Sequence, residues 1–217
     1  MDSQQSQEKI VETLSILRTQ YPSHPMHDAF AHDPWKMLVA VILSQRATDL
    51  ATIKVASTLY AQADTPQKLL TLSTQQLESI IKPIGFFHQK TRGLQKLANI
   101  IIKTHAGQVP LEEPALLALP MVGQKTTNIM LSLYTGTPKI AVDIHVHRIS
   151  NRLGWINSKT PKETEKKLTK MIPKDWIAIV NQIFVRHGQE ICRPISPKCS
   201  ICPIHHLCKR LGVSSHR

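Results

Sequence analysis

The chain has 217 residues, of which 41% are apolar, and carries 27 basic against 15 acidic side chains for a formal charge of +12. That length suits one large or two small domains, and that apolar fraction can build a true core. The surplus of positive charge favours a polyanionic partner, nucleic acid first and an anionic membrane surface second; the longest apolar run, Met37 to Leu43, is far too short to span a bilayer.

No block of five or more like charges occurs, so the charge is expected on folded surface rather than in a disordered tail. Aromatic residues are only 5%, which argues against a base-stacking sheet platform. In chain order, Ile10, Val11, Leu14 and Leu17 repeat at helical spacing, and Pro22 and Pro25 are expected to close that segment. Asp33-Pro34 reads as an N-cap and first-turn proline before Trp35, Leu38, Val41 and Ile42. Thr65-Pro66 repeats the device before Leu69 and Leu70, and Ser73 with Gln76 forms a capping box before Leu77 and Ile80. Pro83 is expected to stop that helix. Leu94, Leu97, Ile101 and Ile102 trace another, with Gly107 at its end.

Residues 111–134 carry an informative local pattern. A short helix from Pro114 to Ala118 is expected to meet Leu119-Pro120-Met121-Val122-Gly123, with a second helix from Gln124 or Lys125 to about Tyr134. Gly123 suits unusual dihedrals. A tight turn ahead of a helix N-terminus presents N–H groups and a dipole to a phosphate oxygen; an ordinary αα-hairpin fits the same pattern. Lys125 opens the second helix. In a partly dry cleft beside a helix N-terminus a lysine gives up its proton more readily, and the neutral amine can form a Schiff base with a sugar carbon. Asp143 follows the apolar lead-in Ile140-Ala141-Val142. It reads as a helix N-cap and equally as a carboxylate able to move protons. Thr160-Pro161 with Glu163 starts a further helix, and a last long one carries Trp176, Ile179, Phe184 and Val185, with Gly188 behind it. The sum is an all-α protein of about ten short helices, without internal repeats.

The four cysteines, Cys192, Cys199, Cys202 and Cys208, are separated by six, two and five residues. The first eight residues are polar and lack the parts of a secretory signal, so disulfides are disfavoured and a reducing, cytoplasmic location is expected. Spacing leaves an iron–sulfur cluster and a zinc ion both open. His205 and His206, inside the last interval, read as surface residues.

Leu119-Pro120-Met121-Val122-Gly123-Gln124-Lys125-Thr126 resembles the helix-hairpin-helix of the endonuclease III group of DNA glycosylases. Ala141 to Arg148 resembles the segment bearing that family's catalytic aspartate, and C-x6-C-x2-C-x5-C resembles its [4Fe–4S] loop. The order and spacing of all three agree over residues 26 to 208. The resemblance implies two α domains: a six-helix domain over 26–136, and a cluster domain from 1–25 plus 137–217. It implies a monomer acting on double-stranded DNA with damaged bases or abasic sites, the damaged base being flipped out. Lys125 would displace an oxidised pyrimidine from C1′, and β-elimination would then nick the strand, with Asp143 supporting both. Leu119, Val122 and Gly123 would meet DNA through the hairpin, and Arg193 and Lys198 from the cluster loop. Ile84 and Phe86 fall where the family places apolar wedges, and Arg46 where it commonly has a gap-filling glutamine. Met121 replaces the hairpin's first glycine, so its side chain is expected to crowd the phosphate or force altered dihedrals. Two rivals are a monofunctional mismatch glycosylase of the same superfamily, against which Lys125 and the nine residues after Cys208 argue, and a non-catalytic DNA-binding module.

Overall fold

In a computed structural model, residues 3–217 are described, with side chains from residue 7 onward. Among these residues there are twelve α-helices, two 3₁₀ turns and no strand. The helices are α1 (Ser3–Gln20), α2 (Pro25–Phe30), α3 (Pro34–Ser44), α4 (Asp49–Tyr60), α5 (Pro66–Thr71), α6 (Thr74–Ile81), α7 (Phe87–His105), α8 (Glu113–Leu117), α9 (Gln124–Thr135), α10 (Ile144–Leu153), α11 (Pro161–Met171) and α12 (Lys174–Glu190). The 3₁₀ turns are Cys199–Ile201 and His205–Leu207. The chain divides into two compact units, Pro25–Thr135 and Met1–His24 with Gly136–Arg217.

The unit Pro25–Thr135 is organised around α3. Asp33 Oδ1 accepts hydrogen bonds from the Trp35 and Lys36 N–H groups at 2.9 and 3.1 Å, and Pro34 supplies a preset φ at N1. The run Met37 to Leu43 is then buried all round, as expected of a central helix rather than an amphipathic surface one. Each of its side chains larger than Ala40 contributes roughly 1.5–3 kcal/mol through burial. Helices α2, α4, α7 and α9 pack on α3. Pro25 does not merely follow α1; it opens α2, because a proline is well tolerated in a first helical turn. The expected capping box closes α6: Ser73 Oγ accepts from Gln76 N, and Gln76 Oε1 accepts from Ser73 N. Helix α7 ends at His105, with Ala106 left-handed ahead of Gly107. Helix α4 has no large apolar periodicity; its buried face is Thr52, Val55, Ala56 and Leu59.

The other unit buries Ile10, Leu14, Leu17 and Tyr21 of one α1 face and the turn after it against Ile177, Val180 and Phe184 of α12. Thr160 caps α11 by accepting from Glu163 N at 3.2 Å, but the Glu163 carboxylate takes Lys159 N at 3.0 Å, so the box is displaced by one residue. Gly188 lies inside α12 rather than behind it. A Cβ there would stand 2.3 Å from His145 Nδ1, so glycine allows α10 to approach. Lys139-Ile140-Ala141-Val142 forms no strand. Ile140 is fully buried, and Asn181 Nδ2 donates to Ala141 O at 2.7 Å, which anchors the lead-in to Asp143.

Candidate active site and cysteine pocket

Helices α8 and α9 form the expected hairpin. Gln124 Nε2 donates to Glu113 Oε1 at 3.0 Å and links the two arms. Leu119 and Val122 are buried in the core, and their N–H groups donate to Leu116 O and Leu119 O. Expected to meet DNA, they instead use both side chain and N–H inside the protein and hold the hairpin's shape. Gly123 accepts the first helical bond of α9, from Thr127 N at 3.0 Å. Its backbone is not left-handed; Met121, where altered dihedrals were expected, takes that conformation, with φ +65°. A Cβ added at Gly123 would meet nothing within 4 Å. Open space therefore adjoins a helix N-terminus whose first-turn N–H groups lack intrahelical acceptors.

Met121 does not simply crowd that space. A Cβ added at Gly93 would lie 2.0 Å from Met121 Sδ, so the thioether is seated on α7 in room that glycine leaves. Left-handed backbone at a non-glycine residue costs about 1 kcal/mol or more. Lys125 is the second residue of α9 and is exposed.

Arg46 and Phe86 come together. The Arg46 guanidinium lies 4.9 Å from the centre of the Phe86 ring, both residues are left-handed, and Phe86 is 54% exposed. Ile84 is a correction. It is 1% exposed and belongs to the core of this unit, because the turn after α6 aims it inward and Phe86 outward. A wedge role is withdrawn from Ile84.

Asp143 lies in the other unit. Its Oδ1 accepts from His145 N and Val146 N, each at 2.8 Å, so the N-cap reading is realised. Further along α10, Arg148 reaches Cys192 O from Nε and Nη2 at 3.2 and 3.0 Å. Burial lowers the Arg148 guanidinium from its ordinary value.

All four cysteines line one pocket, with Arg152, His187 and Lys198 among the other walls. No three metal-binding side chains among the described residues gather around one point as a single ion requires. Burial pushes the Cys202 thiol up to about 11 and raises Cys199 and Cys208 as well, so ligation would have to displace protons. Two donors already face the sulfurs, Arg152 Nη1 to Cys192 and Arg210 N to Cys208, each at 3.4 Å, and the His187 Nε2 lies 3.7 Å from the Cys202 sulfur. Arg152 also donates to Arg193 O and Pro194 O. The Arg193 side chain is exposed, whereas Lys198 is half-buried against the pocket. Arg152 and His187 escape a reading of spacing alone, because only packing brings α10 and α12 to the cysteines.

Comparison with known proteins agrees with this architecture. Residues 39–174 match the model of the HhH-GPD superfamily base excision DNA repair protein. The endonuclease III of Thermotoga maritima is 40% identical over 82% of this chain and 83% of its own. That of Escherichia coli strain K12 is 36% identical over 93% and 95%. The structure of a trapped endonuclease III–DNA covalent intermediate, an estranged-adenine complex, superposes with a TM-score of 0.84 at 35% identity, covering 97% of each chain. By sequence and by fold, the chain belongs to the endonuclease III family of the HhH-GPD superfamily.

Proposed function

We propose that Lys125 is the nucleophile of a bifunctional DNA glycosylase and AP lyase acting in base excision repair, with Asp143 as its carboxylate partner. The observation that carries the reading is a lysine at the second position of α9, beside an open helix N-terminus, in a chain of the endonuclease III family. The neutral amine attacks C1′ of the damaged nucleotide, and the glycosidic bond breaks with its electron pair leaving on the base. The sugar ring then opens: the C1′–O4′ bond breaks, O4′ takes the electron pair and a proton, and C1′ becomes an iminium of the lysine nitrogen, which acidifies the C2′ proton so that β-elimination expels the 3′ phosphate and nicks the strand. Asp143 steadies the cation and moves protons. Partners are double-stranded DNA with oxidised pyrimidines or abasic sites. No described helix is long and apolar enough to cross a membrane; a nucleoid-associated monomer fits the activity.

The hairpin unit grips phosphate through the Gly123 side of α9, and Arg46 and Phe86 enter the stack where the base is lost. Cys192, Cys199, Cys202 and Cys208 would hold a [4Fe–4S] cluster, one thiolate to each iron. The fit rests on four thiols around one pocket and on N–H donors aimed at the sulfurs. When bound, the cluster supplies a rigid crosslink that shapes the loop bearing Arg193 and Lys198. The residues 1–25 and 137–217 form its domain, and residues 26–136 the hairpin domain.

Borohydride reduction of a mixture with abasic DNA tests the lysine. Wild type should yield a covalent complex on the Lys125 peptide, and Lys125→Ala should bind the same duplex without nicking or trapping it. Base release by Lys125→Ala at the wild-type rate would favour the monofunctional reading, and absence of nicking by wild type the binding module.

A further inference from the structure

Four non-glycine residues of the unit Pro25–Thr135 have left-handed backbone; Ala106 ends α7, and the other three are Arg46, Met121 and Phe86. They lie in three separate turns, after α3, before α9 and before α7. One buried residue is linked to all three, by its ammonium to the turn before Arg46, by its backbone to Phe86 and through Gln45 to Met121. Lys90, on α7, is 2% exposed, and its Nζ donates to Leu43 O and Gln45 O, each at 2.8 Å. These carbonyls belong to the C-terminal end of α3, where backbone N–H donors run out and a cation suits the dipole. The Gln45 carbonyl is the peptide unit leading directly into Arg46. The same Gln45 sends Nε2 to Met121 O at 3.1 Å, and Met121 sits on Gly93, one turn beyond Lys90. Lys90 N in turn donates to Phe86 O at 3.0 Å.

A burial site for a lysine needs a reason, since desolvation opposes its charge; here the ammonium is lowered from 10.5 to about 8 by burial. A methionine would fill the same space without that penalty. What only the ammonium adds is two hydrogen bonds into the turn that carries Arg46. We infer that Lys90 is a positioning residue: it holds the 44–47 turn so that Arg46 stays stacked over Phe86 and the hairpin stays registered through Gln45 and Met121. It acts on DNA through Arg46 without touching it. The inference rests on the reading of Arg46 as a DNA contact.

A double-mutant cycle tests it, using the full chain and a duplex with an uncleavable tetrahydrofuran abasic analogue, read by fluorescence anisotropy. Lys90→Met should weaken binding by about five- to tenfold when Arg46 is present, and by less than about twofold in an Arg46→Ala background. A loss of equal size in both backgrounds overturns the inference, since a merely structural lysine would act regardless of Arg46. If Arg46→Ala alone binds as wild type does, the reading of Arg46 fails and takes the inference with it. Should Lys90→Met not fold by circular dichroism, Lys90→Gln, which keeps an NH₂ donor on a shorter stem, replaces it in the cycle: a loss that depends on Arg46 supports the inference, and an equal loss in both backgrounds overturns it.

Discussion

At the scale of single residues, Asp143 separates two jobs. Its Oδ1 caps α10 through two N–H groups, and asparagine caps as well as aspartate while alanine does not. Asp143→Asn should therefore melt within about 2 °C of wild type, while Asp143→Ala loses about 1 kcal/mol of stability. Both should nick abasic DNA at least about 100-fold more slowly, because the carboxylate charge is gone. Nicking by Asp143→Asn at the wild-type rate would leave the residue a cap and nothing more. Lys90 gives a prediction in pH. Its folded value, about 8, lies below its unfolded value of 10.5. Across that window the unfolded chain holds the proton and the folded chain does not, so stability rises with pH. Between pH 7.5 and 10.5, wild type should gain up to about 3 kcal/mol relative to Lys90→Met in urea denaturation. A pH-independent difference would mean that the ammonium is solvated. Ile84 and Phe86 show what local reading misses. Two apolar residues one glycine apart look alike in sequence, yet one is 1% and the other 54% exposed; the turn's direction decides, and packing sets that direction.

At the scale of elements, caps were legible because they are local. Asp33, Thr65, Ser73 and Thr160 each accept a backbone N–H within three residues of their own position. Helix α4 was not, since Thr48 and small buried residues leave a weak pattern. Gly188 looks in sequence like a stop for α12, because glycine's usual place is past a helix end, whereas here it serves a neighbour. Gly188→Ala gains about 1 kcal/mol in helix propensity. Its Cβ, however, would meet His145 at 2.3 Å and Arg148 at 3.0 Å, an overpacking that costs about 1–3 kcal/mol. A net loss of stability of about 1 kcal/mol is expected in urea denaturation, and a net gain would show that the His145 ring yields freely. In the hairpin, unusual dihedrals were expected at Gly123 and altered ones at Met121, and it is Met121 that takes the left-handed conformation.

For the whole molecule, the net charge of +12 makes binding to undamaged duplex a matter of counterion release. With a footprint of about five phosphates, log affinity should fall against log salt with a slope near about −4.5, measurable by anisotropy titration; a nearly flat response would remove the broad phosphate contact. Sequence by itself determined the all-α class, the cap positions, the four-cysteine loop and the Lys125 and Asp143 candidates, because each depends on spacing within a few residues or on chemistry carried by one side chain. Tertiary structure alone decided that Ile84 is core and Phe86 surface, that Met121 rests on Gly93, that Arg152 and His187 face the cysteine sulfurs, and that Lys90 is buried under the end of α3. Those facts join residues far apart in the chain, and only close packing, which makes one helix's side chain another helix's environment, can specify them.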